Sequence, residues 1–576
     1  MTERVTSTTN PGLPFRCADF ETMWQALDYA AQGETGYNFF DAKGELQRSL
    51  TYRELRDQAR SFARHLLGLG LEPGDRMVLV ADTDADFMIG FMGCQYAAIL
   101  PVPVAIPTSL GGKDAYVAQL RHQIEGCGAK AVMAPDSLGA ILQQAAAGLP
   151  IKLAGAPKDF WAAPTTSHDP RPANADALSY LQYSSGSTRF PKGIQITHRV
   201  FMANAYAIAR DGLRVRAGDR CTSWLPLYHD MGLVGFMLVP LTTQMSVDYI
   251  ATRDFARRSL TWLKLISDHA GTLSYSPSFG YDLCTRRMRD DADKLDLSSW
   301  RAAGIGGDMV QHETLQRFSA MFGPHGFSKT AFVPSYGMAE TTLAMSFAPL
   351  DQEYQVDYVD REELAHHNRA VPAARGPAAR GFVACGRALI GHAFEIRDAN
   401  GKSCPERQVG RIFFKGPSVM RGYFQEPELT REALSPDGWL DTGDLGYMLD
   451  GQIVITGRAK DLIIIAGRNI WPQDLEWAAE ELPELRRGDA AAFSIEDGES
   501  EAIVVLVQCR VTDPEAKTKL AKDIGAVLQK SAGVEARIVF IPPHGLPQTS
   551  SGKLSRAKAK ANYLNGVYDA DIGTNK

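Results

Sequence analysis

The amino-terminal part of the chain alternates between helix-type and strand-type spacing of its hydrophobic residues. Thr51 and Glu54 form a capping box before an amphipathic run that continues to Leu66, and Gly68 and Gly70 then end the predicted helix. Beyond it, the pattern predicts a strand over 77–81, a helix over 85–100, a strand over 102–106, a helix over 116–125 and a strand over 131–134. This order is typical of parallel sheets covered by helices.

One apolar stretch, residues 87–112, carries no charged side chain and is long enough to span a bilayer. It also contains Gln95, Pro101, Pro103 and Pro107, and proline interrupts a helix. A helix that ends near residue 100, followed by a buried strand, fits this composition better. We therefore expect core elements here and no stable membrane insertion.

The hydrophobic pattern changes in the second half of the chain. A segment rich in Pro, Ala, Gly and Arg over 372–381 predicts a loop or insertion. Short strand patterns over 394–397, 411–414 and 453–456 predict a small β-rich lobe, and a helix starting near Pro472 with strands over 503–507 and 538–541 predicts an α+β unit. The expected fold class is thus α/β, with a large N-terminal domain over 1–459 and a smaller α+β domain over 460–576.

Composition narrows the class of protein. The chain has 576 residues, of which 45% are hydrophobic and 22% charged, so a disordered chain is excluded. The net charge of −6 argues against a nucleic-acid partner. The 8 Cys include no C-x-x-C pair, and the N-terminus lacks a signal-peptide pattern. We expect reduced thiols and a cytoplasmic location.

The strongest local motif is the segment YSSGSTRFPKG at 183–193, between two predicted strands. Its hydroxyls and backbone amides suit phosphate oxygens, and Arg189 and Lys192 offset their charge. It does not match the Walker A pattern. Taken alone, a Ser- and Gly-rich segment of this kind is more often a solvated hairpin.

Four further segments gain meaning only as a set. YGMAETT at 336–342 places a carboxylate among hydroxyls, which suits Mg²⁺, and DTGD at 441–444 offers a carboxylate to ribose hydroxyls. GRAKD at 457–461 lies at the predicted domain boundary, and PQTSSGK at 547–553 carries a lysine on a loop of small residues. Each admits a plain structural interpretation when read alone.

Together and in this order, the five motifs resemble the adenylate-forming superfamily over residues 51–556. WLPLYHDMGL at 224–233, SPSFGYDLC at 276–284, GRNIWPQDLE at 467–476 and Arg189 in place of a usual glycine resemble the fatty acyl-AMP ligases of that superfamily. The aspartate with which amino-acid-activating relatives pair a substrate ammonium has no counterpart here. One departure is Gly306-Gly307-Asp308, where relatives more often have Gly-Ala-Glu.

The resemblance also points to an insertion. Glu340 and Gly386 are 46 positions apart, more than in typical acyl-CoA synthetases, and residues 354–380 are the candidate. In fatty acyl-AMP ligases this insertion restrains the C-terminal domain and disfavours CoA as acceptor. An idle surface loop is the alternative.

The resemblance implies ATP and Mg²⁺ as cofactors and a role for each motif residue. Catalytic roles fall to Lys553, His229, Glu340 and Thr188, of which Thr188 and Glu340 would hold the metal, and Lys460 would be the hinge. The residues implied in ATP or AMP binding are Ser184, Ser185, Gly186, Ser187, Thr188, Arg189, Lys192, Gly306, Gly307, Asp308, Ser335, Tyr336, Gly337, Met338, Ala339, Asp444, Ile455, Arg458 and Lys553. The residues implied in acyl binding are Tyr228, His229, Met231, Gly232, Gly235, Ser276, Phe279 and Gly307.

The implied reaction joins a fatty acid to AMP and then transfers the acyl group to the phosphopantetheine thiol of an acyl carrier protein. The basic run of Lys553, Arg556, Lys558 and Lys560 could meet an acidic carrier, although a solvated helix face explains the last two equally well. Two other interpretations stay open. One is an acyl-CoA synthetase, and the other is a silent relative that binds ATP or acyl-AMP as a sensor.

Overall fold

A computed structural model describes residues 4–107, 113–184, 192–289, 294–465, 468–497, 500–549 and 553–568. The first part of the chain contains two strands of the central sheet and a separate parallel sheet with its helices. Its elements are α1 (Met23–Ala30), β1 (Gly36–Phe40), β2 (Leu46–Thr51), α2 (Tyr52–Gly68), β3 (Arg76–Val80), α3 (Ala85–Tyr96), β4 (Leu100–Val104), α4 (Lys113–Cys127), β5 (Ala131–Met133), α5 (Gly139–Ala146), β6 (Leu153–Gly155) and α6 (Pro157–Trp161).

The middle of the chain supplies a hairpin and most of the central sheet. Its elements are β7 (Leu178–Tyr183), β8 (Gly193–Thr197), α7 (His198–Ala207), β9 (Arg220–Ser223), α8 (Asp230–Gly232), α9 (Val239–Thr242), β10 (Ser246–Ile250), α10 (Thr252–Arg257), α11 (Leu260–Asp268), β11 (Leu273–Ser276), α12 (Ser278–Arg287), β12 (Ala302–Ile305), α13 (His312–Phe322), β13 (Phe332–Gly337) and β14 (Ala344–Phe347). Two π-helical turns, Ile208–Gly212 and Leu233–Leu238, extend the helices beside the cavity described below.

The last part of the chain builds the β-rich lobe and the C-terminal unit. Its elements are β15 (Val356–Asp360), α14 (Arg361–His367), β16 (Ala379–Val383), β17 (Arg387–Ala388), β18 (Ala393–Arg397), β19 (Gly410–Lys415), α15 (Pro427–Ala433), β20 (Leu440–Leu449), β21 (Gln452–Arg458), β22 (Ile463–Ile465), β23 (Arg468–Ile470), α16 (Pro472–Ala479), β24 (Ala490–Asp497), β25 (Ser500–Gln508), α17 (Pro514–Ala532), β26 (Arg537–Ile541) and α18 (Arg556–Leu564). Short 3₁₀ turns lie at Asp136–Leu138, Gly323–His325, Lys329–Ala331, Ala339–Thr341 and Ala459–Asp461.

These elements form layered sheets, which confirms the predicted α/β class. The central sheet runs in the order β17-β14-β13-β12-β11-β9-β10-β1-β2, parallel from β13 to β1 and antiparallel at its edges. A second parallel sheet has the order β4-β3-β5-β6. The β-rich lobe is the antiparallel sheet β18-β19-β20-β21, and the C-terminal unit contains β22-β23 and β24-β25-β26.

Local sequence signals explain several element boundaries. The capping box is confirmed, since the Thr51 hydroxyl accepts from the Glu54 amide and Glu54 accepts from the Thr51 amide. The helix predicted over 85–100 instead ends at Tyr96, because Ala98 has a positive φ of 55° and breaks the helical path. The following strand, Leu100–Val104, begins earlier than predicted and contains Pro101 and Pro103. It lies at a sheet edge, where the backbone N–H that proline lacks is not needed for pairing.

The segment predicted as a loop over 372–381 is partly a strand. β16 begins at Ala379 and pairs antiparallel with β15, while α14 lies between these two strands in sequence. Buried Phe382 and Val359 belong to an apolar cluster that they share with Tyr447 of β20 and Val454 of β21. An apolar core and a paired strand explain why the segment is ordered despite its Pro- and Gly-rich sequence.

No helix in the described part of the chain combines the length and the apolar character that a bilayer span requires. The uncharged stretch noted above forms α3, which is buried on all sides, and β4. The expectation of core elements in that stretch is met over its described residues, up to residue 107.

A buried ion pair ties the N-terminal segment to the central sheet. The Arg220 guanidinium donates to both oxygens of Asp248 at 2.6 Å, and the two side chains are 3% and 0% exposed. Asn38 donates to the same carboxylate at 2.7 Å, and a third Arg220 nitrogen donates to the Thr6 carbonyl and the Thr8 hydroxyl. The pair therefore joins β9, β10 and β1 to the segment that precedes α1.

We expect Asp248→Ala to lower the free energy of unfolding by about 3–5 kcal/mol, because it leaves the Arg220 charge buried without its partner. Chemical denaturation followed by circular dichroism measures the change. The matched control is Asp176→Ala, which removes a carboxylate from the exposed pair with Arg199. It should leave stability nearly unchanged. Equal effects of the two substitutions would contradict this account of the pair.

Candidate active site

A cavity of about 1080 Å³ lies at the carboxyl ends of the parallel central strands. Open α/β sheets bind ligands at this edge, because the connections that leave the strands diverge there. Segments after β9, β11 and β12 and the end of β13 supply one wall, and the β-rich lobe and the C-terminal unit supply the others. The predicted site residues that line it are His229, Met231, Gly235, Phe279, Gly306, Gly307, Asp308, Ser335, Tyr336, Gly337, Met338, Ala339, Glu340, Asp444, Ile455, Arg458, Lys460, Lys553, Ser184 and Lys192.

Three residues predicted for acyl binding lie beside this cavity but are not among its described lining residues. The Tyr228 carbonyl accepts a hydrogen bond from the side-chain amide of Gln182 at 2.8 Å. Gly232 lies against the main chain, since a Cβ there would be 2.2 Å from the Pro226 carbonyl oxygen. The Ser276 hydroxyl donates to the Pro277 carbonyl at 2.8 Å. None of these contacts is to a described residue of the cavity lining.

On one side of the cavity, Tyr336 and Asp444 form a hydrogen-bonded pair. The Tyr336 hydroxyl donates to Asp444 Oδ2 at 2.6 Å. Arg458 pairs with Asp444 across β20 and β21, and its Nε lies 3.7 Å from Asp444 Oδ1. Enclosure in the cavity raises the pKa of Asp444, while Arg458 and the Tyr336 hydrogen bond oppose the rise. The result is a fixed carboxylate with a cation beside it.

The β7-β8 hairpin brings the predicted phosphate loop to the same cavity. The Ser184 amide donates to the Lys192 carbonyl at 3.0 Å, which closes the two ends of the loop. The Lys192 ammonium lies 5.2 Å from the ring centre of Tyr423. The remaining predicted loop residues lie outside the described part of the chain: Ser185, Gly186, Ser187, Thr188 and Arg189.

Glu340 lies on the short turn Ala339–Thr341, half-buried at the cavity wall. The Tyr423 hydroxyl donates to its Oε1 at 2.9 Å. Enclosure raises the pKa of Glu340, and the hydrogen bond from Tyr423 opposes that rise. Among the described residues no group of three His, Cys, Asp or Glu could hold a metal alone. The donor set fits Mg²⁺ bound by one carboxylate together with substrate phosphates.

Lys553 reaches the cavity from the C-terminal unit. Its Nζ would lie 3.7 Å from a Cβ placed on Gly307, whose φ of +85° suits glycine. Enclosure lowers the pKa of Lys553, and the Asp230 and Asp308 carboxylates oppose that shift. Asp308 faces the open cavity, and enclosure by the cavity walls raises its pKa to about 6. The two carboxylates thus favour the charged form of Lys553.

His229 and Asp230 stand together opposite that lysine. His229 Nδ1 lies 2.7 Å from Asp230 Oδ1. Burial alone would raise the pKa of Asp230, but His229, Lys553 and the Met231 amide hold it below its usual value. Asp230 therefore stays ionised, and its negative charge stabilises the ammonium of Lys553.

Ion pairs within the C-terminal unit fix the base of the lysine loop. The Thr549 amide donates to the Lys553 carbonyl at 2.7 Å. Arg556 donates to both oxygens of Glu476 and lies 3.1 Å from Asp461. Arg556, interpreted from sequence as part of a basic run that could face a carrier, is thus engaged inside the unit. Lys460 lies next to Asp461 on the turn Ala459–Asp461, where enclosure lowers its pKa.

Sequence reasoning missed several residues that matter to this geometry. Asp230 stood inside a quoted motif, and its position next to His229 was the available signal. Tyr423 comes from the segment between β19 and α15, and no motif marks it. Asp308 was predicted for nucleotide binding, but its position near the Lys553 charge was not predicted.

Comparison with known proteins places this geometry in a family. The family model described as "AMP-binding enzyme" matches residues 28–424. A putative acyl-CoA synthetase of Caulobacter vibrioides is 50% identical over 96% of this chain and 97% of its own length. The long-chain-fatty-acid–AMP ligase FadD32 of Mycolicibacterium smegmatis is 31% identical over 92% of each chain.

Two further matches bear on substrate and fold. The medium-chain-fatty-acid–[acyl-carrier-protein] ligase JamA of Moorena producens is 30% identical over 96% of each chain. A solved structure from studies of fatty acyl-adenylate ligases of E. coli and L. pneumophila superposes with a TM-score of 0.93, at 46% identity. It covers 97% of this chain and 100% of its own.

We expect Tyr336→Phe to weaken ATP binding by roughly tenfold, because a hydrogen bond to a charged group is worth about 1.5–3 kcal/mol. Isothermal titration with ATP measures the affinity. Tyr447→Phe is the matched control, because the Tyr447 hydroxyl also donates to a carboxylate, that of Asp357, at 2.6 Å, but away from the cavity. If both variants bind ATP like the wild type, the Tyr336–Asp444 pair does not serve the nucleotide.

Proposed function

The chain belongs to the AMP-binding enzyme family and is an acyl-adenylating ligase, and on this premise we propose its substrate and acceptor. The substrate is a fatty acid, which the enzyme converts with ATP to acyl-AMP and pyrophosphate. The acceptor is the phosphopantetheine thiol of an acyl carrier protein rather than CoA. One observation carries the proposal. The same cavity is lined by Lys553, by the carboxylate of Asp444 and by a long row of apolar residues, which we call the apolar arm.

In the proposed first step, a carboxylate oxygen of the fatty acid bonds to the α-phosphorus of ATP, and the bond to the pyrophosphate oxygen breaks. Negative charge builds on the α-phosphate oxygens, so a positioned cation lowers the barrier. Lys553, held over Gly307, is that cation. His229 lies at the carboxylate end of the acyl site, and the negative charge of Asp230 offsets the positive charge of Lys553 there.

The nucleotide is proposed to lie between β13 and the β-rich lobe. Asp444, fixed by Tyr336 and Arg458, would accept the ribose hydroxyls, and residues 306–308 and 335–339 would surround the adenine. Mg²⁺, when bound, would offset phosphate charge. Glu340 would hold it, with Thr188 as a second ligand by the family resemblance.

The apolar arm supports a fatty chain as substrate. From Met231 and Gly235 the cavity continues between side chains of the helices and the central sheet. The residues lining this arm are Ile208, Leu213, Cys221, Phe236, Val239, Met245, Leu273, Tyr275, Leu343, Ala344 and Phe347. These residues carry no charge and supply mostly apolar surface, which suits a hydrocarbon chain.

The acceptor proposal rests on contacts between the insertion and the C-terminal unit. Arg380 of the insertion lies with Nη2 2.8 Å from Asp474 Oδ1, and its guanidinium carbon is 4.8 Å from the Trp471 ring centre. Trp471 also packs into the apolar cluster of Val359 and Leu364. The C-terminal unit cannot turn toward a second substrate without breaking these contacts.

Such a restraint favours a protein acceptor. Burial lowers the pKa of Arg380 to about 10, so the guanidinium remains charged at neutral pH beside Asp474. A docked carrier protein can offset the loss of these contacts with interface contacts of its own, whereas CoA offers a smaller surface. The similarity to JamA supports this choice, and the similarity to the Caulobacter protein favours the alternative, an acyl-CoA synthetase.

We expect Lys553→Ala to slow acyl-AMP formation by roughly 10²-fold or more, because it removes a transition-state cation. Pyrophosphate release with a fatty acid and MgATP measures the rate. Lys519→Ala on α17, which removes an exposed lysine of the same unit, is the control and should retain the wild-type rate. A Lys553→Ala enzyme as fast as this control would remove Lys553 from the mechanism.

We expect Arg380→Ala to raise acyl-CoA formation relative to transfer to the carrier, because it frees the C-terminal unit from Asp474 and Trp471. Mass spectrometry of both products in one tube gives the ratio, and acyl-AMP formation without acceptor shows that the variant is folded. Arg375→Ala changes an exposed arginine of the same insertion and should keep the wild-type ratio.

Deletion of residues 354–380 is the stronger form of the same test and should also permit acyl-CoA formation. An active Arg380→Ala or deletion variant that makes no acyl-CoA would contradict the proposed restraint.

A further inference from the structure

Two cavities meet at one residue, Met245. The large cavity described above and a second cavity of about 230 Å³ each have Met245 in their walls, and their other described lining residues differ. Met245 is 3% exposed and directly precedes β10. Met245 therefore forms the partition between the two spaces.

Met245 lies at the end of the acyl arm that is farthest from Lys553. The reacting groups lie at the carboxyl ends of the central strands, whereas Met245, Cys221 and Leu273 lie near the amino ends of β10, β9 and β11. β11 has 4 residues, so the arm crosses about 13 Å of sheet at 3.3 Å per residue. A fatty chain entering at Gly235 would thus run toward Met245 with its methyl end leading.

The second cavity lies beyond Met245, under the N-terminal segment. Its walls come from residues 8–11, 13, 15, 216–219 and 243–245, of which Pro11, Leu13 and Phe15 supply apolar surface. A methylene group and a water molecule each occupy about 30 Å³, so this space corresponds to roughly eight methylenes.

Hydrogen bonds hold the walls of the second cavity in place. The Asn10 side chain donates to the Gln244 carbonyl at 3.2 Å and accepts from the Glu34 amide at 2.7 Å. The Arg16 amide donates to the Gln244 side chain at 2.9 Å. Arg220, fixed by Asp248, donates to the Thr8 hydroxyl at 3.1 Å. These hydrogen bonds thus hold the N-terminal segment in a fixed position over the second cavity.

Hydrogen bonds fix the main chain at Met245, whereas its methionine side chain can change conformation easily. The Met245 amide donates to the Pro240 carbonyl at 2.9 Å, and its carbonyl accepts from the Tyr52 hydroxyl at 2.6 Å. An unbranched thioether with several rotatable bonds fills irregular gaps and repacks readily. The partition therefore consists of a flexible side chain on a rigid support.

We propose that Met245 sets the acyl-chain length of this enzyme, and that the second cavity receives the methyl end of longer chains when this side chain no longer blocks the way. The inference rests on the proposed fatty-acid adenylation and names the residue that limits the substrate. Acids that end before Met245 fit the arm of the wild type. Longer acids require the thioether to leave its place.

The test is a chain-length profile of acyl-AMP formation. Wild type and Met245→Ala are assayed by pyrophosphate release with saturated fatty acids of six to twenty carbons, and kcat/KM is compared within each enzyme. Each newly buried methylene is worth about fourfold. We expect the optimum of Met245→Ala to lie at least two carbons longer, with the ratio of long to short acids raised by about tenfold or more.

Ratios within one enzyme are independent of the folded fraction, so partial destabilisation of Met245→Ala leaves the comparison valid. Met245→Phe, which thickens the partition, should move the optimum to shorter acids. Leu13→Trp added to Met245→Ala fills the second cavity and should reverse the gain for long acids.

The control is Met202→Ala, which removes a buried methionine that lines neither cavity and should keep the wild-type profile. An unchanged profile in Met245→Ala, or the same shift in Met202→Ala, overturns the role of Met245. A gain that persists in the double variant overturns the role of the second cavity. A wild type that adenylates none of the acids overturns the proposed function itself, and this is seen before any variant is compared.

Discussion

The arrangement of this molecule depends on the contact between Arg380 and the C-terminal unit. The guanidinium meets Asp474 and the face of Trp471 in a buried setting, and this contact joins residues 354–380 to the C-terminal unit. With the unit in this position, its lysine loop delivers Lys553 to Gly307 at the carboxyl edge of the central sheet. Neither Nη atom of Arg380 makes a well-directed hydrogen bond to a described residue, although Nη2 is at ion-pair distance from Asp474. A contact of this kind can restrain a domain and still be broken by a binding partner.

The same closed arrangement unites chemistry that comes from three parts of the chain. The central sheet supplies Gly307 and the apolar arm, the β-rich lobe supplies Asp444, and the C-terminal unit supplies the ammonium of Lys553. Asp444 has Arg458 beside it, and Asp230 and Lys553 offset each other's charge. Charges enclosed together in this way need little rearrangement when negative charge develops on a phosphate. The apolar arm extends from this polar centre to Met245, so one cavity serves both ends of an acyl-adenylate.

The sequence predicted those features of the fold that depend on interactions between residues close together in the chain. The capping box at Thr51, the proline at the start of α16 and the alternating elements of the parallel sheets follow from short-range patterns, and the order of motifs indicated the family. The end of α3 was misplaced because the positive φ of Ala98 leaves no mark in an alanine-rich sequence. Tyr423 beside Glu340, Trp471 beneath Arg380 and Met245 between two cavities depend on contacts between residues distant in sequence. No single-sequence pattern encodes such contacts.

The most direct test of the account is a competition between acceptors. The unmodified enzyme, MgATP and a mixture of fatty acids are incubated with CoA and a phosphopantetheine-loaded acyl carrier protein in the same tube, and mass spectrometry identifies the acyl products. The account predicts acyl groups on the carrier protein and acyl-CoA no higher than in a reaction without enzyme. Acyl-CoA as the main product would contradict the restraint by the insertion and identify the enzyme as an acyl-CoA synthetase.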